Sequence, residues 1–121
     1  MGYEIIYPSG SVAAKPIIVH IPHSSTCIPA RYRHEICLDD TELTSELLAM
    51  TDRFTDHLFA QSTRYGATLF VNGVRRLVMD LERFFYDHEE PMAGKGMGAV
   101  YVSASNSRPL RAASFSARDR Q

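Results

Sequence analysis

The 121-residue sequence has no tryptophan, has two cysteines and carries almost no net charge. Because the formal charge is -1 and the basic residues form no stripe, we expect no nucleic-acid partner. No segment reaches the roughly 18 consecutive apolar residues of a membrane span, so we expect no membrane partner. The N-terminus has Glu4 and no basic leader, which is unlike a signal peptide. These absences predict a cytoplasmic protein whose partner is a small molecule.

The cysteines and the overall composition are typical of one ordinary globular domain. Cys27 and Cys37 lack CxxC spacing, which predicts neither a zinc ribbon nor a disulfide framework, and we expect reduced structural thiols. Apolar residues make up 45% of the chain and charged residues 22%, within the usual range.

Hydrophobic periodicity predicts an α/β fold. The β-branched run 17–21 is typical of a strand buried on both faces. A helical period follows, with Asp39 or Asp40 as N-cap, and it fits one helix or two with Thr51 or Asp52 capping the second. The apolar side chains predicted to face a core are Leu43, Leu47, Leu48, Phe54, Leu58 and Phe59.

Three further strands are predicted downstream. They cover 66–73, 75–84 and, more briefly, 99–103, with an acidic and glycine-rich loop at 86–98. A right-handed crossover through the helical region would make the first two strands of the fold parallel.

His23 is the first candidate for chemistry. It follows the strand at 17–21, and ligand sites of α/β folds gather where strands end at their carboxyl side. A neutral imidazole there can bind a metal or transfer protons. The alternative is a loop histidine hydrogen-bonded to backbone. His20, inside the strand, is expected to be a core or sheet histidine.

The second candidate is the R-x-x-x-D-x-x-R spacing of Arg76, Asp80 and Arg83. In an extended segment, Arg76 and Asp80 share a face. A guanidinium has donors in a fixed fork that suits a substrate carboxylate or a polarised carbonyl oxygen. An ion pair between Arg76 and Asp80 is the alternative, and the residues themselves do not separate the two.

Three segments, in this order, carry a family resemblance: "PIIVHIPHSSTCIP", "LLAMTDRFTDHLFA" and "RRLVMDLERFFYDHEEPMAGKGMGAVYV". Over residues 16–111 the chain resembles the N-formylglutamate amidohydrolase family. It departs from the family motifs at Ser25, where glycine is usual, and at Glu82, where asparagine is usual.

The resemblance implies a partial mixed-sheet, three-layer α/β fold like that of zinc carboxypeptidase-like (phosphorylase/hydrolase-like) hydrolases and aspartoacylase-like deacylases. It implies zinc-dependent hydrolysis of a small anionic N-acyl amino acid, such as an N-formyl amino acid. His23 and Asp52 would bind zinc, although the H-x-x-E arrangement is absent because Thr26 stands at its last position. The residues assigned to catalysis or substrate binding are Arg76, Arg83, Asp80 and Ser24.

The resemblance covers only the N-terminal half of such an enzyme. Residues 1–111 match part of the domain, and 112–121 form a polar tail or the start of a truncated helix. The later half of family members is expected to supply a histidine ligand and a glutamate base, so Glu82 is only a candidate base here. We expect marginal stability, weak or no catalysis, and self-association through an exposed sheet edge. The alternatives are a non-catalytic module that binds a small ligand or a subunit, and an inactive gene fragment.

Overall fold

A small mixed sheet organises the computed structural model, which describes residues 2–112 and Phe115. Its strands are β1 (Tyr3–Ile6), β2 (Ile18–Ile21) and β3 (Thr68–Asn72), in the order β1-β3-β2. β1 is antiparallel to β3, with Tyr3 opposite Asn72. β2 is parallel to β3, with Ile18 opposite Thr68, which confirms the predicted parallel pair.

Short helices connect the two parallel strands. They are α1 (Ala30–Arg33), α2 (Asp40–Ala49) and α3 (Thr55–Phe59), followed by a 3₁₀ helix at Ala60–Tyr65. A second 3₁₀ helix, Ala93–Lys95, lies in the glycine-rich segment. This crossover is needed because parallel strands cannot be joined by a tight turn.

The helical region forms two helices, one of the two alternatives left open by the sequence. Asp39 caps α2 as predicted. Its side chain accepts from the backbone N–H of Glu42, and the Glu42 side chain accepts from the backbone N–H of Asp39. The predicted cap of the second helix is wrong. α3 is preceded by Phe54, whose φ of 68° lies in the left-handed region, and not by a capping Thr51 or Asp52.

The predicted apolar stripe also holds only in part. Leu43 is buried, and Leu47 is partly buried against the core. Leu48, Phe54 and Leu58 are 60%, 63% and 72% exposed, and Phe59 is exposed as well. For Phe54, Leu58 and Phe59 the reason is the break between α2 and α3, which ends the continuous helical face assumed by the prediction. Leu48 lies within α2 but about 140° around the helix axis from the buried Leu43.

The segment at 75–84 is not a strand, and that prediction is wrong. Its backbone turns, with the N–H of Val78 donating to the carbonyl of Arg75. Leu77 and Val78 are therefore both buried, although neighbours in a strand would point to opposite faces. The strand predicted at 99–103 is likewise reduced to an isolated bridge between Ser103 and Pro109. β1, in contrast, was not predicted.

The hydrophobic core lies between α2 and the loops that follow β3. It consists of Ile36, Leu38, Leu43, Leu77, Tyr101, Ala104 and Leu110. Strand β2 is an edge strand, so the prediction of burial on both faces fails for its first residues: Ile18 is 75% exposed and only Ile21 is buried.

Cys27 and Cys37 are both free and exposed. Among the residues that the structure describes, no helix is long and apolar enough to cross a membrane. The helix start predicted within 112–121 lies outside the described residues, apart from Ala112 and Phe115. The boundary between 111 and 112 stays a prediction.

Candidate functional site

The site begins where β2 ends. The side-chain amide of Asn72, the last residue of β3, donates to the carbonyl of Pro22 at 3.1 Å. The carbonyl of the next residue, His23, accepts from the backbone N–H of Asp52 at 3.1 Å. These two bonds tie the exit of β2 to the neighbouring strand and to the segment before α3, so that Asp52 is held beside His23.

Three carboxylates surround the His23 ring, which is only 3% exposed. Its Nε2 lies 2.8 Å from Oδ1 of Asp80. Its Nδ1 lies 3.4 Å from Oδ2 of Asp52 and 3.5 Å from Oε2 of Glu82. The fold thus places the two residues predicted to bind metal, His23 and Asp52, next to each other. It also adds Glu82 to the same side of the ring.

Asp80 is the centre of a buried hydrogen-bond network. Its Oδ2 accepts from the Tyr101 hydroxyl at 2.6 Å and from Nε and Nη2 of Arg76 at 3.3 and 3.0 Å. Its Oδ1 accepts from the backbone N–H of Glu82 at 3.0 Å. Nε of Arg83 lies 3.6 Å from Oδ2. The side chains of the R-x-x-x-D-x-x-R spacing therefore meet, although through turns and not along a strand.

The network keeps Asp80 ionised. Burial by itself would raise the pKa of Asp80, but the hydrogen bonds from His23, Tyr101, the Glu82 backbone and Arg76 outweigh it and hold that pKa well below its usual range. Burial and the hydrogen bond to Asp80 raise the pKa of Tyr101, so the phenol stays a donor.

The two predicted arginines differ in how they are bound. Arg76 forms the ion pair with Asp80 that was the alternative interpretation of the spacing. Burial opposes its charge, but the hydrogen bond to Asp80 raises its pKa. Nε of Arg83 is buried without a hydrogen-bond partner. Arg83 lines a cavity of about 140 Å³ whose other walls include Leu81, Phe85 and Val100.

Arg75 is a structural residue that the sequence did not distinguish from Arg76. It is 1% exposed, and its guanidinium donates to the carbonyl of Ser25 at 3.0 Å and to that of Leu47. Burial, reinforced by Arg76 and opposed by Glu46, lowers the pKa of Arg75 to about 10. Arg75 thereby holds the loop after His23 against α2.

Tyr101 escaped the assignment of site residues from sequence. Tyr101 looked like part of a strand, and no local signal identifies a tyrosine whose partner lies 21 residues away. Glu82 was noted from the sequence as a departure from the family motif and as a candidate base, and the fold places its carboxylate 3.5 Å from Nδ1 of His23. Ser24, predicted to bind substrate, is half-buried beside His23. Its neighbour Ser25 has a structural role, donating to the carbonyl of Gly73 at 2.9 Å.

His23 and Asp52 offer an imidazole nitrogen and a carboxylate oxygen, two of the ligand types that zinc accepts. Zinc binds imidazole nitrogen and carboxylate oxygen at about 2.0–2.2 Å in tetrahedral geometry. Two ligand atoms of the same zinc ion are therefore about 3.4 Å apart. The Nδ1 to Oδ2 distance between His23 and Asp52 is 3.4 Å. However, within 2–112 and Phe115 no group of three or more His, Cys, Asp or Glu side chains could hold a metal ion. The described residues therefore fit two zinc ligands and not a complete set.

Comparison with known proteins shows a family and a similar solved structure. The family model for N-formylglutamate amidohydrolase matches residues 15–121. A solved structure of N-formylglutamate amidohydrolase from Ralstonia eutropha JMP134 matches with a TM-score of 0.74 and 20% sequence identity. The match covers 91% of this chain and 41% of that chain, and at this identity the likeness concerns the fold alone. No curated protein matches the sequence.

Proposed function

The chain belongs to the N-formylglutamate amidohydrolase family, and we propose that it contributes the first half of a zinc site for hydrolysis of an N-acyl amino acid. The observation that carries the proposal is the 3.4 Å separation of His23 Nδ1 and Asp52 Oδ2 at the carboxyl end of β2. In this proposal the small sheet is part of a larger three-layer fold of the zinc carboxypeptidase type, of which this chain covers one portion.

His23 and Asp52 would hold the metal through Nδ1 and a carboxylate oxygen. Bound zinc would lower the pKa of a coordinated water towards about 7 and polarise a carbonyl group. A catalytic zinc normally has three protein ligands. Because the described residues fit two, the proposal assigns the remaining ligand to residues beyond those described or to another chain.

Arg83 is the better of the two arginines for the substrate. Both Nε and Nη2 of Arg76 are directed to Asp80, whereas Nε of Arg83 has no hydrogen-bond partner and its side chain is 23% exposed. A guanidinium with free donors binds a carboxylate in a bidentate manner. We therefore assign the substrate carboxylate to Arg83, with Ser24 as a neighbouring polar contact and with Arg76 and Asp80 holding the site in shape.

Glu82 is positioned to accept a proton. Its carboxylate is 3.5 Å from Nδ1 of His23, and its side chain is 53% exposed. A general base must lie within hydrogen-bond reach of the water it deprotonates. A water bound on the Nδ1 side of His23 would have Glu82 and Asp52 as its neighbouring carboxylates, which supports this role for Glu82.

Zinc binding tests the proposal most directly. Equilibrium dialysis of the purified 121-residue chain against zinc should show binding weaker than that of a site with three protein ligands, and His23→Ala should abolish it. His57→Ala is the matched control, because the His57 side chain is 79% exposed. Absence of zinc from the unaltered chain, or equal zinc in the chain and in His23→Ala, would contradict the proposal.

A second assay separates hydrolysis from binding alone. Release of formate from N-formyl-L-glutamate by the zinc-loaded chain, lost with a chelator, supports the enzymatic proposal. Zinc and ligand binding without turnover would favour the non-catalytic module that the sequence also allowed.

Self-association through the open edge of β2 stays a prediction. Ile18 at the start of this edge strand is 75% exposed, Ile17 just before it is 50% exposed, and Leu58 of α3 is 72% exposed. Gel filtration with light scattering should show a dimer or larger species, and Ile18→Lys should shift it to monomer. A monomer at all concentrations would contradict the prediction. The absence of a nucleic-acid partner and the cytoplasmic location also stay predictions.

A further inference from the structure

Arg83 lies at a small cavity beside the candidate site. The cavity has a volume of about 140 Å³, and its walls come from two segments, 79–87 and 99–100. Its rim is open, because Met79 and Phe85 in these walls are 41% and 62% exposed. A small molecule can therefore enter the cavity from solvent.

The cavity adjoins His23 through the segment that begins at Asp80. The Asp80 side chain lines the cavity, and its Oδ1 lies 2.8 Å from Nε2 of His23. Leu81 and Arg83 also line the cavity. Glu82, between them in the chain, has its carboxylate 3.5 Å from Nδ1 of His23. This segment thus borders both the cavity and the candidate metal site, so a molecule bound in one lies next to the other.

The cavity combines apolar walls with one cation. Arg83 is the basic residue among those that line it, and within the described part of the chain its buried Nε has no hydrogen-bond partner. An apolar cavity of about 150 Å³ holds a benzene molecule, so the volume here suits a side chain of the size of leucine. The apolar side chains of the walls are those of Met79, Leu81, Phe85, Ala99 and Val100.

A second negative charge on a bound molecule is disfavoured in this cavity. Arg83 can neutralise one carboxylate, but Asp80 and Asp87 add two negative charges to the walls. A side-chain carboxylate such as that of glutamate would lose hydration against the apolar walls and would be repelled by these aspartates. An apolar side chain, in contrast, gains free energy from burial. The cavity therefore discriminates between an apolar and an acidic side chain.

We propose that this cavity is the subsite for the substrate side chain and that it selects an N-acyl amino acid whose side chain is apolar and about as large as leucine. Arg83 binds the carboxylate of this substrate, and Leu81, Ala99 and Val100 contact its side chain. The inference deepens the proposed function and rests on it for the acyl group. The selectivity rests on the walls of the cavity alone.

Binding in the absence of metal tests the selectivity. NMR titrations of the methyl-labelled 121-residue chain give dissociation constants for N-formyl-L-leucine, N-formyl-L-glutamate and N-formyl-L-leucinamide. We expect N-formyl-L-leucine to bind about 10- to 100-fold more tightly than N-formyl-L-glutamate, because its side chain is buried. The leucinamide lacks the carboxylate and should bind about 10-fold more weakly than N-formyl-L-leucine. No binding of N-formyl-L-leucine, or equal binding of either other compound, would overturn the inference.

The methyl signals also locate the bound molecule. A larger cavity of about 430 Å³ shares Leu81 and Val100 with the smaller one and is also lined by Val74. The methyl signal of Ala99 reports on the smaller cavity, and those of Val74 report on the larger one. N-formyl-L-leucine should shift the signal of Ala99 and leave those of Val74 unchanged. The reverse pattern would overturn the assignment of the subsite.

A variant that fills the cavity gives an independent test. Ala99→Leu should lower the affinity for N-formyl-L-leucine about 10-fold or more, because its longer side chain occupies the space of the ligand. Ala60→Leu is the matched control, since Ala60 is exposed and should tolerate the same change without loss of binding. Equal affinity in folded Ala99→Leu and in Ala60→Leu would contradict the inference. If Ala99→Leu does not fold, the three compounds still test the unaltered chain.

The failure of this inference can be told apart from the failure of the proposed function. Zinc binding that requires His23, together with a preference for N-formyl-L-glutamate, would support the proposed function and overturn the apolar subsite. Selective binding of N-formyl-L-leucine at Ala99 by a chain that binds no zinc would support the subsite and contradict the proposed function.

Discussion

The hydroxyl of Tyr101 donates a 2.6 Å hydrogen bond to Oδ2 of Asp80, and both side chains are almost completely buried. Tyr101 also belongs to the hydrophobic core, packed with Leu77 and Leu110. One side chain thus joins the core to the candidate site. Stability and site geometry in this chain therefore depend on the same contact.

Tyr101→Phe should lower the free energy of unfolding by about 1.5–3 kcal/mol, because a hydrogen bond to a charged group is lost without a change in apolar volume. Urea denaturation followed by circular dichroism measures the change. Tyr65→Phe is the matched control, since Tyr65 is 73% exposed. Equal effects of the two substitutions would show that the buried bond adds nothing to stability.

Acid should remove the stabilisation that Asp80 provides. Its hydrogen bonds, which outweigh the effect of burial, hold the pKa of Asp80 below the value of the unfolded chain. The stabilisation is therefore complete above the unfolded pKa of about 3.9 and is lost as pH falls through the folded pKa. Urea titrations from about pH 6 to about pH 2 should show that the difference between the unaltered chain and Asp80→Asn shrinks towards acid. A difference that does not vary with pH would contradict the assigned pKa direction.

Gly96→Ala should destabilise the chain, whereas Gly94→Ala should not. Gly96 has a φ of 74°, and a Cβ there would lie 2.9 Å from Cβ of Ser103. A non-glycine residue in the left-handed region costs about 1–3 kcal/mol, and the close contact adds to this. A Cβ at Gly94 would meet nothing within 4 Å. Thermal unfolding compares the two, and a similar Tm for both variants would contradict the expected strain.

Leu43→Ala should cost about 2–5 kcal/mol, because Leu43 is buried in the core and its removal leaves a cavity. Leu48→Ala lies on the same helix, but Leu48 is 60% exposed, so its change should stay within about 0.5 kcal/mol. Since both substitutions replace leucine by alanine in α2, helix propensity contributes equally. Chemical denaturation midpoints should differ between the two variants. Comparable losses of stability would contradict the assignment of Leu43, and not Leu48, to the buried face of α2.

Local features of this protein were predictable from the sequence. The strands β2 and β3, their parallel pairing and the Asp39 cap all follow from hydrophobic runs, crossover handedness and a capping residue close in the chain. The motifs also led to the correct family, which the match over residues 15–121 confirms. In the candidate site, His23, Asp52, Arg76, Asp80 and Arg83 were selected from sequence, and the fold brings them together, while their roles stay proposals.

The partners of these residues were decided by tertiary structure alone. Alternation at 75–84 resembled a strand, but the side chain of Asp80 binds His23, 57 residues away, and the backbone turns around it. Contacts between distant segments likewise decide that Arg75 and not Arg76 is buried. They also decide that the Tyr101 hydroxyl reaches Asp80. The sequence by itself determined the local elements and the chemistry available, because propensity and capping act between near neighbours. Packing between distant segments decided which polar groups meet, because a buried polar group requires a partner wherever the fold supplies one.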